Sequence, residues 1–314
     1  MSSKKPSQTK KRDWPALDAA HARRGALITI VLSPDGGAYA PPPRDGRACR
    51  PRVYSDELVE ALFLAKAVTG LSLRALEGFA RGLRELVGGE WKVPDYSTLS
   101  LRQRTLKVDI DARLKAGRHL FMVDSTGLKV FGEGEWKVRT HGTDGKRRTW
   151  RKIHLLVDRE TGHVAAVEMT DNNVNDCLVL PALLPARLDG DALLGDGAYH
   201  TKKAHRAVHD KGGLLLTPPK VGARRWGRTA TSNDEAAFVF RNQQVRAIGM
   251  LGRPEWKLRS GYSRRSFVES TMRRLKAITG DRLAARTRDR QLVEVRVRCK
   301  ALNALATSTV SFAA

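Results

Sequence analysis

A mixed α/β fold, with helices on the faces of a central sheet and a small all-α module in front of it, is what the sequence predicts. Three observations carry that prediction. Between residues 55 and 107 apolar residues recur at helical spacing. From His119 the pattern turns to short apolar runs, two of them joined by a tight turn. Beyond residue 176 such runs alternate with helical stretches, the order of a sheet covered on its faces.

Residues 1–24 are polar and basic, and 26–32 (ALITIVL) read as a strand ended by Ser33-Pro34-Asp35-Gly36-Gly37. The Pro-rich stretch 40–52 reads as a linker. Leu58, Leu62, Ala65 and Val68 share one face of a helix over 55–68. Gly70 ends it, and Ser72 caps a second helix that runs to about Val87. After Pro94, Asp95 or Ser97 caps a third, whose exposed face is expected to carry Ser100, Arg102, Gln103, Arg104 and Lys107. Three short helices with a basic last one resemble a helix-turn-helix DNA-binding module. An ordinary helical bundle with a solvated charged face fits the same pattern equally well.

Residues 119–126 (HLFMVDST) read as a strand carrying Asp124 near its end, with 128–131 as a second strand close enough to pair with it. Residues 151–158 and 163–170 read as a hairpin around Arg159-Glu160-Thr161-Gly162. A helix over 176–187 follows, with Asp176 as its cap, then a strand over 191–196, a helix over 200–211 and a strand over 213–217. The segment 218–260 reads as basic and irregular, with one helix at 234–248. Helices over 263–279 and 290–306 close the chain. The division is therefore an arm and linker at 1–54, a helical domain at 55–112, and an α/β domain at 117–306 with a basic insertion at about 218–260.

Composition narrows the function. The 314 residues hold 57 Lys and Arg against 33 Asp and Glu, a formal net charge of +24. Self-repulsion on that scale calls for a polyanionic partner, and nucleic acid is the obvious one. The excess is clustered: residues 217–300 hold 21 basic against 7 acidic side chains. No run of 18 or more apolar residues predicts a membrane span, and the basic N-terminus lacks the apolar core of a secretory leader. Cys49, Cys177 and Cys299 form no CxxC pair and read as free thiols of a reducing compartment. The expected location is a bacterial cytoplasm, at the nucleoid.

Asp124 and Asp196 each end a buried-type run, FMVD and LLGD. A carboxylate there is costly unless paired or bound to a metal, although a turn or cap Asp looks the same. Asp158 ends LLVD but leads into a hairpin, so a turn role suits it better. Glu269 lies in GYSRRSFVESTMRRLKAITG, where helical spacing sets Arg265, Glu269 and Lys276 on one face with Tyr262 near the entry. One acid among Arg264, Arg265, Arg273, Arg274 and Lys276 suits a metal-binding carboxylate beside phosphate-binding cations. A plain Arg265–Glu269 pair explains that segment by itself.

The order Tyr262-x2-Arg265-x3-Glu269-x6-Lys276 resembles the signature of insertion-sequence DDE transposases. VDSTGLKV, RRTWRKIHLLVD, LLGDGAYH and SFVESTMRRLK are similar to motifs of the insertion sequence five family, as are KRDWPALDAA, YSDELVEALFLAKAVTGLSLRALEGF and VPDYSTLSLRQRTL. The likeness spans nearly the whole chain, with 72 residues from Asp124 to Asp196 and 73 from Asp196 to Glu269. His200 stands where members of that family often carry Asp.

The resemblance implies a ribonuclease-H-like catalytic domain whose acids Asp124, Asp196 and Glu269 bind Mg²⁺, or Mn²⁺ as a substitute. It implies DNA cleavage and strand transfer at terminal inverted repeats, on double-stranded transposon ends and target. Tyr262, Arg265, Arg273 and Lys276, with Arg102, Gln103 and Arg104 of the helical module, are the implied DNA contacts. Pairing of two ends implies a homodimer on DNA. The competing readings are a catalytically inactive DNA-binding protein or repressor, and a ribonuclease-H-like nuclease with another substrate. Among other candidates, His200, His205 and His209 read as a surface helix rather than a zinc site, and Trp226 or Trp256 as a base-stacking aromatic or as packing.

Overall fold

The computed structural model describes residues 53–86, 88, 91–130, 150–226 and 232–310. The expected arm, the strand at 26–32, the linker and Cys49 lie outside the described residues.

The helical module forms as its caps dictate. Helix α1 (Asp56–Thr69) starts where Ser55 Oγ accepts from the Leu58 N–H at 3.1 Å. It stops at Gly70, whose φ of 73° is left-handed and favours glycine. Helix α2 (Leu73–Leu86) follows Ser72, which accepts from the Ala75 N–H. Helix α3 (Tyr96–Thr105) is capped by Asp95 through the Thr98 N–H. Leu58, Leu62, Leu76 and Leu99 fill the core between them.

Among the described residues the sheet has six strands: β1 (Leu120–Val130), β2 (Trp150–Asp158), β3 (Val164–Asp171), β4 (Ala192–Leu194), β5 (Leu214–Leu216) and β6 (Arg282–Leu283). Their order is β3-β2-β1-β4-β5. β1, β2 and β3 run antiparallel, while β4 and β5 lie parallel to β1. This mixed sheet with flanking helices fits a ribonuclease-H-like fold.

One expectation needs correction. Residues 119–126 and 128–131 are not two paired strands but the single 11-residue β1. Gly127 lets it run straight past β2, since a Cβ there would meet the Trp150 ring at 3.0 Å. Asp124 is therefore in the middle of a strand, not at its end.

Alternation sorts β1 onto two cores. Phe121 and Val123 face helix α4 (Asp176–Leu183) and helix α5 (Lys202–His209), with Leu180, Leu183 and Val208. Met122, Leu128 and Val130 face helices α8 (Ser266–Thr279) and α9 (Arg288–Val310), with Met272, Leu275 and Val295. Helix α4 is capped by Asn175, not Asp176.

The basic segment is more ordered than its composition suggests. It holds helix α6 (Ser232–Leu251) and a second, unforeseen helix α7 (Arg253–Arg259). Gly252, with φ 77°, makes the corner between them, and Pro254 sits in the first turn of α7. A 3₁₀ turn over Tyr262–Arg265 then leads into α8, so the predicted helix at 263–279 begins three residues late.

Candidate active site

The site forms where the sheet is open along one edge. On its β4 side, β1 pairs with β4 only at residues 120–122 and with β6 only at 129–130. Residues 123–128 have no strand partner there among the described residues. The parallel register of β1 and β4 ends at Met122 and Leu194, and beyond it Asp196 is near enough for its charge to act on Asp124. The mid-strand carboxylate is tolerated because the Ser125 N–H and Arg265 bond it.

Each acid is held differently. Asp124 Oδ1 accepts from the Ser125 N–H at 2.8 Å, and Oδ2 accepts from Arg265 Nη1 at 2.8 Å. Burial pushes the Asp124 carboxyl above its usual range, and the Asp196 charge adds to that, while Ser125 and Arg265 oppose it. Asp196 caps the 3₁₀ turn at Gly197–Tyr199 through the Ala198 N–H at 2.8 Å. Glu269 lies in the first turn of α8, where a negative charge suits the helix dipole. It accepts from Arg265 Nη2 at 2.5 Å.

Arg265 therefore joins two acids that lie 145 residues apart in the chain. Its side chain is 20% exposed, against 17% for Asp124 and 56% for Glu269, so one side of the bridge opens to solvent. Burial draws its guanidinium pKa down, but the charges of Asp124, Tyr262 and Glu269 outweigh that and raise it. Among the described residues no group of three or more His, Cys, Asp and Glu is drawn together tightly enough to hold a metal ion. A guanidinium, rather than a cation-ready cage, is the positive charge between Asp124 and Glu269.

Lys276 Nζ donates to Thr126 Oγ1 at 2.7 Å, two residues along β1 from Asp124. The Tyr262 hydroxyl is buried and donates to the Gly195 carbonyl at 3.2 Å, and its ring stacks on Trp256 at 5.5 Å. That bond ties the entry of α8 to the end of β4, and burial raises the Tyr262 pKa. Arg273 is exposed on α8.

The face expected on α3 differs from the one observed. Gln103 is buried in the helical module rather than exposed. Arg102 bonds the Tyr54 carbonyl and pairs with Asp56. Arg104 is exposed and pairs with Asp289 of α9 at 2.9 Å. The helix turns Leu99 and Gln103 inward together, one turn apart, which leaves Leu101, Arg104 and Thr105 outward.

His200 and His205 are buried, not on a helix surface. His200 Nδ1 lies 3.0 Å from Thr217 Oγ1, and its Nε2 accepts from buried Arg241 at 3.2 Å. Burial first, then Arg241, lowers His200 to about 4, and burial lowers His205 to about 3. Trp226 packs against both histidines and Phe238, with the Arg241 guanidinium 3.9 Å from its ring centroid. Trp256 is buried and donates to Gln244. Both tryptophans are thereby packing residues in this structure.

Sequence reasoning missed Arg241, Tyr199 and the surroundings of Asp176. Asp176 was legible only as a helix-start residue, and its contacts with Ser125 and Lys152 join segments far apart in the chain.

Two comparisons bear on this site. A family model described as Transposase DDE domain matches residues 115–304. A second model of the same description matches residues 22–133.

Proposed function

Because the chain belongs to the DDE transposase family, we propose that it binds the terminal inverted repeats of an insertion sequence and cleaves and joins DNA strands there. Its motifs favour the insertion sequence five group. The observation that carries the site assignment is the Arg265 bridge between Asp124 and Glu269, with the Asp196 charge acting on Asp124.

The donor set suits a hard divalent cation. Asp124, Asp196 and Glu269 offer only carboxylate oxygens. Arg265 already occupies a place for positive charge between two of them. Those three acids would hold Mg²⁺ or Mn²⁺. Such a cation, once bound, polarises the scissile phosphate and lowers the pKa of the attacking water or 3′-hydroxyl.

The chain's own groups do the rest. The Ser125 N–H orients Asp124, and Asp196 is held by the turn it caps. Release of Arg265 from the acids turns its fork toward a phosphate, which it binds in two-pronged geometry. Arg273 and Lys276 on α8, and Arg104 on α3, add phosphate contacts. Tyr262 acts by holding α8 against β4 rather than as a nucleophile. Residues 55–112 recognise the ends as a helical domain, 117–306 form the catalytic domain, and two protomers pair two ends. The proposed setting is the cytoplasm, where its DNA partner lies; among the described residues no helix is long and apolar enough to cross a membrane.

The test is strand cleavage of a labelled duplex carrying the element's terminal repeat, with Mg²⁺, with EDTA, and with Asp124→Ala, Asp196→Ala and Glu269→Ala. Metal-dependent cutting at the repeat boundary, lost in all three variants, is the expected result. Binding without cutting, with end pairing confirmed, replaces this reading with that of a regulatory DNA-binding protein. Cutting indifferent to the repeat points to a nuclease with another substrate.

A further inference from the structure

A fourth carboxylate reaches β1 from the opposite face of the sheet. Asp176 is the first residue of α4, where Asn175 already supplies the cap. Both Asp176 oxygens point instead to the sheet. Oδ2 accepts from Ser125 Oγ at 3.0 Å, and Oδ1 accepts from Lys152 Nζ at 2.9 Å. Lys152 is fixed in turn by the Val174 carbonyl at 3.0 Å. His154, buried beside them, has Nδ1 3.7 Å from Asp176 Oδ1 and Nε2 on Thr170.

Ser125 connects this group to the candidate site. Its side chain faces α4, while its backbone N–H donates to Asp124 Oδ1 at 2.8 Å. It lies in the stretch of β1 that has no strand partner on the β4 side among the described residues. β2 holds that stretch along one edge, and the Asp176 bond ties it to α4 on one face, as Lys276 ties Thr126 to α8 on the other. The buried Tyr199 ring lies within the field of these acids: burial first, then the charges of Asp176, Asp124 and Asp196, raise its pKa. Its hydroxyl has no hydrogen-bond partner among the described residues.

We infer that Asp176 is a positioning residue for Asp124, acting through Ser125 to fix the carboxylate that faces the opposite side of the sheet. The inference rests on the proposed function. Loss of a group that orients a metal ligand from behind typically costs about ten- to a hundredfold in metal affinity.

The experiment titrates Mn²⁺ into the full chain bound to a terminal-repeat duplex, reading free Mn²⁺ by electron paramagnetic resonance. Asp124→Ala defines the site. Asp176→Ala and Ser125→Ala are each expected to weaken Mn²⁺ binding by about tenfold with DNA affinity unchanged; Asp176→Ala also strands Lys152 and unfolds at a lower temperature, whereas Ser125→Ala keeps the wild-type midpoint. The double variant is expected to be no weaker than either single one. Asp176→Asn, which keeps an acceptor for Ser125 Oγ, is expected to fall between wild type and Asp176→Ala. Should Asp176→Ala fail to fold, Ser125→Ala carries the test. Additive losses, a loss in Ser125→Ala that follows a fall in its thermal stability, or a Ser125→Ala variant with wild-type affinity would overturn the inference. Wild-type protein that takes up no Mn²⁺ through Asp124 overturns the proposed function itself, and this inference with it.

Discussion

Arg265 shows how one side chain sets the state of the candidate site. Without a cation, Asp124 and Glu269 repel, and the guanidinium relieves that repulsion with two charge-assisted bonds. A divalent ion must compete with it, and a DNA phosphate offers the arginine an alternative anion. Arg265→Gln is therefore expected to bind Mn²⁺ several-fold more tightly than wild type without DNA, and to bind end DNA more weakly. Calorimetric titration of each ligand checks both. Tyr262 makes a different kind of contribution. Tyr262→Phe keeps the stacking on Trp256 and removes only the bond to Gly195, so unfolding in denaturant should show a loss of about 1 kcal/mol.

At the scale of elements, the seam between α5 and α6 is a buried polar contact that needs neutral histidines. His200 accepts from Arg241, so a proton on that nitrogen would set two cations against each other. Both histidines are depressed in the fold, to about 4 and about 3. Below about pH 6.5 the unfolded chain takes up protons that the folded chain refuses. Stability is thus present in full above that pH and is lost as pH falls toward the depressed values. Thermal unfolding between pH 7 and 4 is expected to show a falling midpoint, with a shallower fall in His200→Gln. The same seam explains why Trp226 packs rather than projects: two imidazoles, Phe238 and a guanidinium surround it.

Across the whole molecule, α9 links the parts. Its Val295 lies in the sheet core, while Val293 and Val297 lie in the core of the helical module. Residues 55–112 read from sequence as a separate unit, yet they share that helix. Leu62→Ala, fully inside the helical core, is expected to cost roughly 2–5 kcal/mol and to lower one common transition in calorimetry rather than splitting it. The net charge of +24 belongs to this scale too. Binding to duplex DNA is expected to weaken steeply as salt rises, because phosphate contacts release counterions. A filter-binding series over salt concentration measures that slope.

By itself the sequence determined the kinds of element and most of their order. Caps such as Ser55 and Asp95, stops such as Gly70 and the hairpin at Asp158 rest on local bonds, and local bonds leave local patterns. It also singled out Asp124, Asp196 and Glu269 as candidates, because carboxylates in apolar or basic surroundings are conspicuous. Tertiary structure decided the rest. Only the approach of α8 to β1 lets Arg265 span Asp124 and Glu269, and that bridge is what satisfies an acid in mid-strand. Gln103 and His205 turned inward, and Asp176 met Ser125, through neighbours distant in the chain. Burial and long-range hydrogen bonds depend on which segments pack together, and that is a property of the folded whole rather than of any window of sequence.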